Sequence, residues 1–248
     1  MIITDIVQNT LRKFGFEVRR TNASEEVFSL QKLLINKEDP FIFDIGACHG
    51  SVALTYNNLF RSPKIYCFEP FPESFEILKK NLSPYDNIKS LNIALSDKTG
   101  LSKLNVNSNK ATNSLLPSDE RGEDFWGKNL YKTENVINVN TITLDDIIKQ
   151  FSIPIIDILK IDVQGGEYEV FQGAEEFLSN QKVSLIYSEM IMCPTYKGQH
   201  TLSEYFSLLY KYGYTFLDFF NPIRRHNQLI QADIIFLNKS LMDRINNT

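Results

Sequence analysis

The stretch FDIGACHG, residues 43–50, follows an apolar run and precedes the helix-like stretch SVALTYNNLF. A strand that ends in a glycine turn and opens a helix presents backbone N–H groups and the positive end of a helix to a ligand. The spacing is Asp44-x-Gly46-x-Cys48-x-Gly50, and no third glycine completes the G-x-G-x-x-G fingerprint of dinucleotide-binding folds. The turn therefore predicts a cofactor site at the end of a strand, for a cofactor other than a typical dinucleotide.

Strand and helix patterns alternate along the chain around this turn. Strands are indicated at FIFDI (41–45), KIYCFE (64–69), IKSLNIAL (88–95), PIIDILKID (154–162) and VSLIYSEM (183–190), and helices at SVALTYNNLF, PESFEILKKNL (72–82), TLDDIIKQF, GGEYEVFQGAEEFLSN (165–180) and TLSEYFSLLYKYG. Thr143 with Asp146 and Thr201 with Glu204 form capping boxes, and Gly213 fits a helix end. This alternation predicts an α/β fold with a mainly parallel sheet and helices on both faces.

The last two strands, YTFLDFF (214–220) and LIQADIIFL (229–237), are separated only by NPIRRHNQ. A parallel crossover needs a dozen or more residues, so these strands are expected to pair antiparallel. NAD-binding folds do not end their sheet with such an antiparallel pair.

Residues 96–140 interrupt the alternation with two polar-faced strands around a long polar segment. A loop of that length in a compact domain is usually functional or mobile, so we expect a lid over about residues 105–130, in which Phe125 and Trp126 cover a bound ligand. Ile2, Leu11 and Phe14 belong to a helical pattern, and EVFSLQKLL predicts a second helix. We expect an N-terminal helical extension at 1–40 and one domain at 41–248.

Composition limits the classes of function. The chain has 248 residues and a net charge of −4, which suits one large α/β domain and disfavours binding to nucleic-acid phosphates. Cys48, Cys67 and Cys193 form no CxxC pair, which suggests reduced thiols in a cytoplasmic protein. No signal peptide and no apolar run of roughly 18–20 residues for a membrane span is recognised. The oligomeric state stays open.

Glu69, at the end of the second strand, favours one cofactor over another. The turn matches the D-x-G-x-G-x-G pattern of S-adenosylmethionine-dependent methyltransferases, with Cys48 in place of the middle glycine. A carboxylate at the end of the second strand can accept hydrogen bonds from both ribose hydroxyls. Because this ligand carries an amino acid group rather than a pyrophosphate, Asp44 can face its ammonium. A tight turn without any ligand is the alternative interpretation.

The chain resembles the FkbM family of S-adenosylmethionine-dependent methyltransferases from about Phe41 to Leu237. The resemblance is carried by FDIGACHG, CFEP, NIALSD, TNSLL, TITLDDI, LKIDVQGGEYEVFQGA, YKGQ and FNPIRR…LIQADIIFL. It implies a Rossmann-like class I methyltransferase fold with seven strands, and O-methylation of a hydroxyl on a sugar, glycan, glycolipid or polyketide acceptor. Two positions depart from the family pattern: Cys48 stands in the glycine turn, and Gln164 follows DV where many relatives carry an acidic residue.

These patterns predict a set of cofactor contacts at the ends of the strands. The predicted residues are Asp44, Gly46, Ala47, Gly50, Glu69, Pro70, Ala94, Leu95, Asp162 and Val163. Ser96 or Asp97 can add a side-chain contact to the adenine ring.

Three carboxylates are candidates for the chemistry, because open α/β sheets bind ligands at the carboxyl ends of their strands. Asp162 closes the fourth strand and is the candidate general base or anchor of the acceptor hydroxyl, although it could instead cap a helix or contact the cofactor. Glu167 lies in a first helical turn, where the helix dipole alone favours it. Glu189 ends an apolar strand. Asp162 and Glu189 could together hold Mg²⁺, but two carboxylates are too few, and no metal is predicted.

His49 is a fourth candidate base, although it can equally be a turn residue beside the cofactor carboxylate. Acceptor contacts are predicted from Gln164, Tyr196, Gln199 and Asp233. Asp233 interrupts an apolar strand, and the structural alternative is an ion pair with Arg224 or Arg225.

Two other classes of protein compete with the methyltransferase. An NAD-dependent oxidoreductase would be favoured by a parallel final strand pair. A non-catalytic cofactor-binding module would be favoured by side chains that close the cleft over Asp162.

Overall fold

A computed structural model describes residues 23–247, so the predicted helix around Ile2–Phe14 lies outside the described residues. The strands are β1 Phe41–Ile45, β2 Lys64–Phe68, β3 Ile88–Leu91, β4 Ala94–Leu95, β5 Gly100–Asn107, β6 Thr133–Ile142, β7 Ile156–Ile161, β8 Val183–Ile191, β9 Thr215–Arg225 and β10 Gln228–Leu237. The helices are α1 Ala23–Ile35, α2 Ser51–Leu59, α3 Pro72–Leu82, α4 Glu123–Trp126, α5 Leu144–Phe151, α6 Glu167–Gln172, α7 Glu175–Ser179, α8 Leu202–Lys211 and α9 Lys239–Asn246, with short 3₁₀ turns at Lys110–Thr112 and Glu120–Gly122.

Within residues 23–247, the main sheet has seven strands in the order β3-β2-β1-β7-β8-β10-β9. Only β10 runs antiparallel to its neighbours, β8 and β9. Side chains alternate between two buried faces: Phe43 and Leu159 join one apolar core, whereas Ile42 and Ile158 join the other. The predicted α/β class and mostly parallel sheet are confirmed.

The antiparallel final pair is also confirmed, and the turn that connects its strands is shorter than the sequence suggested. Both strands continue into the predicted connection, which leaves only His226 and Asn227 between Arg225 and Gln228. Both residues of this turn have positive φ, 47° and 63°, as a two-residue hairpin turn that follows the twist of its strands requires.

The predicted strand at 88–95 is wrong, because two strands in different sheets occupy it. β3 pairs with β2 in the main sheet, whereas β4 pairs with β6 in a second sheet of order β4-β6-β5. Between them, the side chain of Asn92 donates hydrogen bonds to the carbonyls of Glu69 and Pro70. These bonds hold the chain at the point where it leaves the main sheet.

The predicted single helix at 165–180 is wrong as well, because it breaks at Gly173. A methyl group built on Gly173 would lie 2.1 Å from the carbonyl oxygen of Ser96, so the chain approaches too closely for any other residue. The helix then restarts as α7, whose N–H groups at Glu176 and Phe177 donate to the carboxylate of Asp145.

The capping box at Thr201 and Glu204 is confirmed, with Gly213 at φ +81° just beyond the end of α8. The box predicted at Thr143 is only half formed. Thr143 accepts the N–H of Asp146, but its own N–H donates to the hydroxyl of Thr99, which in turn donates to the Asp146 carboxylate. Over residues 23–247, no helix is both long and apolar enough to cross a membrane.

Candidate active site

The glycine turn follows β1 at the carboxyl edge of the sheet and is shaped by backbone contacts. Gly46 has φ +77°, and a methyl group built there would lie 1.7 Å from the carbonyl oxygen of Asp162. Gly50 has φ +89° beside the side chains of α3. Cys48, in the place of a middle glycine, also has positive φ, 48°. The N–H groups of Gly46 and Ala47 both donate to the Phe68 carbonyl, which ties the turn to β2.

A cavity of about 410 Å³ opens beside this turn. It is lined by the predicted residues Gly46, Glu69, Pro70, Ala94, Leu95, Asp162, Val163 and Gln164, together with Cys48, Ser96, Asp97, Glu169 and residues 110, 111 and 113–116. Its volume lies in the range of small-molecule sites. Residues at or directly after the ends of β1, β2, β4 and β7 form part of its wall. Asp162 lines the cavity, so the cleft is not closed over it.

Glu69 stands in the wall of this cavity and is only 8% exposed. One of its carboxylate oxygens accepts the N–H of Cys48 and the other the N–H of Phe71, both at 2.9 Å. Burial raises the pKa of Glu69 to about 7, although both backbone bonds lower it. The carboxylate is thus held between the turn and α3, in the wall of the cavity.

Asp44 does not line the cavity but is fully buried behind the turn. Its carboxylate lies 3.1 Å from the Nζ atom of Lys160, which also donates to the carbonyl of Gly46 at 3.3 Å and lies 3.7 Å from Asp162. Burial alone would lower the pKa of Lys160, but the carboxylates of Asp44 and Asp162 outweigh it and raise the pKa. A charged ammonium therefore sits under the turn and beside Asp162.

The three candidate carboxylates meet at the ends of β7 and β8. Asp162, Glu167 and Glu189 each place an oxygen within 4.8 Å of the other two, which makes them the group among the described residues that could hold a metal ion. The side-chain amide of Gln164 lies between two of them, with its nitrogen 2.9 Å from Asp162 and 2.7 Å from Glu189. A cation and this amide would compete for the same oxygens.

Glu167 supports the backbone beside the cavity. One oxygen accepts the N–H groups of Val163 and Gly165, and the other accepts the hydroxyl of Tyr205 at 3.1 Å. The residue is 1% exposed, and burial raises its pKa to about 7. Its geometry is that of a brace for the segment that carries Asp162.

Glu189 is held by two amides, those of Gln164 and Gln231. Burial raises the pKa of Glu189 well above its usual range, and the carboxylates of Asp162 and Glu167 add to this effect. Sequence reasoning missed Gln231. Its signal was the same as that of Asp233, a polar residue on the alternate positions of an apolar strand.

The remaining predicted residues lie outside the cavity wall. His49 is exposed, and its carbonyl accepts from Asn81. Gln199 uses its whole amide within its own loop, accepting from Thr195 and Tyr196 and donating to two carbonyls. Tyr196 is buried, and its hydroxyl lies 3.0 Å from the oxygen of Gln164.

Asp233 accepts hydrogen bonds from Tyr187 at 2.6 Å and Asn221 at 2.7 Å, rather than pairing with Arg224 or Arg225. Phe125 and Trp126 pack beside the 191–196 loop, where Trp126 donates to Thr195, and they do not line the cavity. The part of the predicted lid that does line it comprises residues 110, 111 and 113–116, which overlap the TNSLL motif of the family resemblance.

The strand order of the main sheet, with the glycine turn after β1 and Glu69 directly after β2, is the fold of class I S-adenosylmethionine-dependent methyltransferases. The N-terminal domain of EvdMO1, solved in the presence of SAH and D-fucose, has a similar fold, with a TM-score of 0.50 at 8% identity over 90% of this chain and 85% of that one. The METTL16 methyltransferase domain is similar at a TM-score of 0.51 and 12% identity, covering 90% of this chain and 70% of that one.

Sequence comparisons identify the family. The model of the methyltransferase FkbM domain matches residues 44–216, and the chain belongs to this family. It is 30% identical to the 2-O-methyltransferase NoeI of Sinorhizobium fredii, over 82% of this chain and 84% of that protein. It is 28% identical to the hexuronic acid methyltransferase AglP of Haloferax volcanii, over 62% of this chain and 57% of that protein.

The protein is therefore an S-adenosylmethionine-dependent methyltransferase of the FkbM family, and the sequence-based prediction of its cofactor and family is confirmed. The alternatives of an NAD-dependent oxidoreductase and a non-catalytic module are set aside, because the final strand pair is antiparallel and Asp162 lines the open cavity.

Proposed function

We propose that the protein methylates a hydroxyl oxygen of a sugar-type acceptor and that Asp162 is the general base. The observation that carries this proposal is the position of Asp162 at the end of β7, in the wall of the cofactor cavity. NoeI is a 2-O-methyltransferase and AglP acts on a hexuronic acid, which supports a carbohydrate acceptor for this chain. The sugar hydroxyls of a glycolipid are included in this proposal, and polyketide hydroxyls are the competing oxygen acceptors.

The chemistry needs positioning more than covalent help. The bound cofactor would supply an electrophilic methyl group and leave as S-adenosylhomocysteine, and Asp162 would accept the proton that the acceptor hydroxyl loses. Orientation of two reactants can supply roughly 7–11 kcal/mol, and a positioned base adds typically 10²–10⁴-fold. The Nζ atom of Lys160 lies 3.7 Å from a carboxylate oxygen of Asp162, so a cation stands beside the proposed base.

We assign the cofactor to the cavity because the residues there can bind each part of it. Glu69 would accept the ribose hydroxyls, Gly46, Ala47 and Gly50 would let the backbone approach the amino acid portion, and Ala94 and Leu95 would flank the adenine beside Ser96 and Asp97. Pro70 and Val163 would complete the wall. Asp44 would act indirectly: its carboxylate holds the ammonium of Lys160, and this ammonium donates a hydrogen bond to the Gly46 carbonyl in the turn.

The division of the chain is also part of the proposal: an extension over residues 1–40, a catalytic domain over 41–248 and a lid over about 105–130. Support comes from residues 110, 111 and 113–116 of the predicted lid, which lie in the cavity wall. Hydrogen exchange should slow there when S-adenosylhomocysteine binds, and unchanged exchange at saturation would contradict the lid. A cytoplasmic location fits the free thiols of Cys48, Cys67 and Cys193, and the net charge of −4 disfavours nucleic acid as a partner.

The experiment for the proposed function is methyl transfer from S-adenosylmethionine labelled in its methyl group to a panel of acceptors. Free and glycosidic sugars, hexuronic acids and polyketide hydroxyls form the panel, and the methylated position is read by mass spectrometry and NMR. Label on a sugar oxygen supports the proposal. Label only on nitrogen or carbon acceptors, or only on non-sugar hydroxyls, would contradict it.

A further inference from the structure

The side chain of Gln164 bridges the ends of two strands of the sheet. Its single amide nitrogen lies 2.9 Å from an Asp162 oxygen and 2.7 Å from a Glu189 oxygen. An amide nitrogen has two N–H groups, so both donors are used between these carboxylates. The amide oxygen lies 3.0 Å from the hydroxyl of Tyr196, which fixes which end of the amide faces the carboxylates. No N–H group of this side chain is left to donate a hydrogen bond to the methyl-accepting substrate.

The backbone that carries this amide is held on several sides. Gln164 has φ +59°, a conformation uncommon outside glycine, asparagine and aspartate. Its carbonyl accepts the hydroxyl of Ser114 at 2.7 Å, and the neighbouring N–H groups of Val163 and Gly165 donate to Glu167. A strained residue that is braced in this way indicates that the orientation of its side chain matters.

The surroundings of Asp162 explain why a neutral donor is useful there. The titratable groups that influence it or lie near it are the cation Lys160, the carboxyl groups of Asp44, Glu167, Glu189 and Asp233, the phenols of Tyr131 and Tyr196 and the thiol of Cys48. Carboxyl groups outnumber the one cation in this set. A neutral amide satisfies an oxygen of both Asp162 and Glu189 without adding charge.

We infer that Gln164 is a positioning residue, whose amide takes the place of a divalent cation between Asp162 and Glu189 and aims the Asp162 carboxylate at the acceptor hydroxyl. The inference rests on the proposed role of Asp162 as base. It differs from the expectation that Gln164 contacts the acceptor, because a positioning group acts on turnover, whereas a binding group acts on acceptor affinity.

The test compares three variants in steady-state methyl transfer with an acceptor that the wild type methylates. Gln164→Glu keeps the shape and an acceptor for Tyr196 but loses the donors, and Gln164→Met removes donors without adding charge. Gln172→Glu, the same change at an exposed position of α6, is the matched control. We expect kcat to fall on the order of 10²-fold in both Gln164 variants, because a misplaced reacting group costs about that much. The acceptor KM and the Kd of S-adenosylhomocysteine should stay within about twofold, and the control should match the wild type.

Gln164→Asn adds a rescue arm, since asparagine tolerates positive φ and keeps two N–H donors on a shorter stem. Its kcat should lie between those of the wild type and Gln164→Met. Circular dichroism and cofactor binding identify any variant that fails to fold, and the remaining variants then decide.

Three results would overturn the inference. A raised KM with preserved kcat would make Gln164 an acceptor contact, and wild-type kcat in Gln164→Met would leave the amide without a role. Loss of wild-type activity in EDTA, restored by Mg²⁺, would mean that a cation rather than the amide joins the two carboxylates. If Asp162 is not the base, Asp162→Asn retains wild-type turnover. This result distinguishes failure of the proposed function from failure of the role inferred for Gln164.

Discussion

Glu69 should make cofactor binding depend on pH. Burial raises its pKa to about 7 in the free protein, so the carboxyl group is largely protonated at pH 6 and largely ionised at pH 8. Ribose hydroxyls donate to the ionised form, so binding below pH 7 must first release this proton. With an ionised fraction of about one tenth at pH 6, affinity for S-adenosylhomocysteine should be about tenfold weaker than at pH 8, or about 1.4 kcal/mol.

Calorimetry at pH 6, 7 and 8 measures this effect, and buffers of different ionisation enthalpy count the released proton. Glu69→Gln should remove the pH dependence, because an amide does not titrate in this range. It should also weaken binding at pH 8 by about 1–3 kcal/mol, since its NH₂ group faces a backbone N–H of Cys48 or Phe71. Glu73→Gln, at an exposed position of α3, is the matched control and should behave as the wild type. Affinity that does not change with pH in the wild type, or that still changes in Glu69→Gln, would refute the reasoning.

Two further predictions concern the stability of the fold. Gly46→Ala should destabilise the protein by several kcal/mol more than Gly198→Ala, which should cost about 1 kcal/mol; both positions have positive φ, but only the first would place a methyl group 1.7 Å from the Asp162 carbonyl. Thermal unfolding measures the difference, and equal losses would contradict the close approach. Burial raises the pKa of Glu167 from 4.5 to about 7, so its contribution to stability is present below pH 4.5 and lost as the pH rises through 7. Between pH 4.5 and 8 the wild type should therefore lose about 3 kcal/mol relative to Glu167→Gln in urea unfolding, and parallel pH profiles of the two proteins would contradict this.

Local patterns predicted the elements that local forces determine. The strand at 41–45 and the helix at 72–82 follow from apolar periodicity, and the box of Thr201 and Glu204 needs only residues three apart. The antiparallel final pair followed from the short connection between two strands. These features depend on residues that are close together in the chain, so a single sequence is enough to predict them.

Contacts between distant residues explain what the sequence did not show. The break at Gly173 depends on the carbonyl of Ser96, and the split at 88–95 depends on β6, which begins far along the chain. The side-chain partners in the site are equally remote: Gln231 holds Glu189, and Tyr187 holds Asp233. Which polar residue meets which depends on strand register, and register appears only when the sheet is assembled.

Single-turnover methyl transfer by Asp162→Asn tests most directly whether Asp162 is the base beside the cofactor. Asparagine keeps the shape of the side chain and an oxygen for the Gln164 amide, but it cannot take the hydroxyl proton. With labelled S-adenosylmethionine bound and acceptor in excess, the rate should fall roughly 10²–10⁴-fold while the Kd of S-adenosylhomocysteine stays within about twofold. Asp243→Asn, at an exposed position of α9, is the matched control. A wild-type rate in Asp162→Asn, or a loss confined to cofactor affinity, would contradict the account.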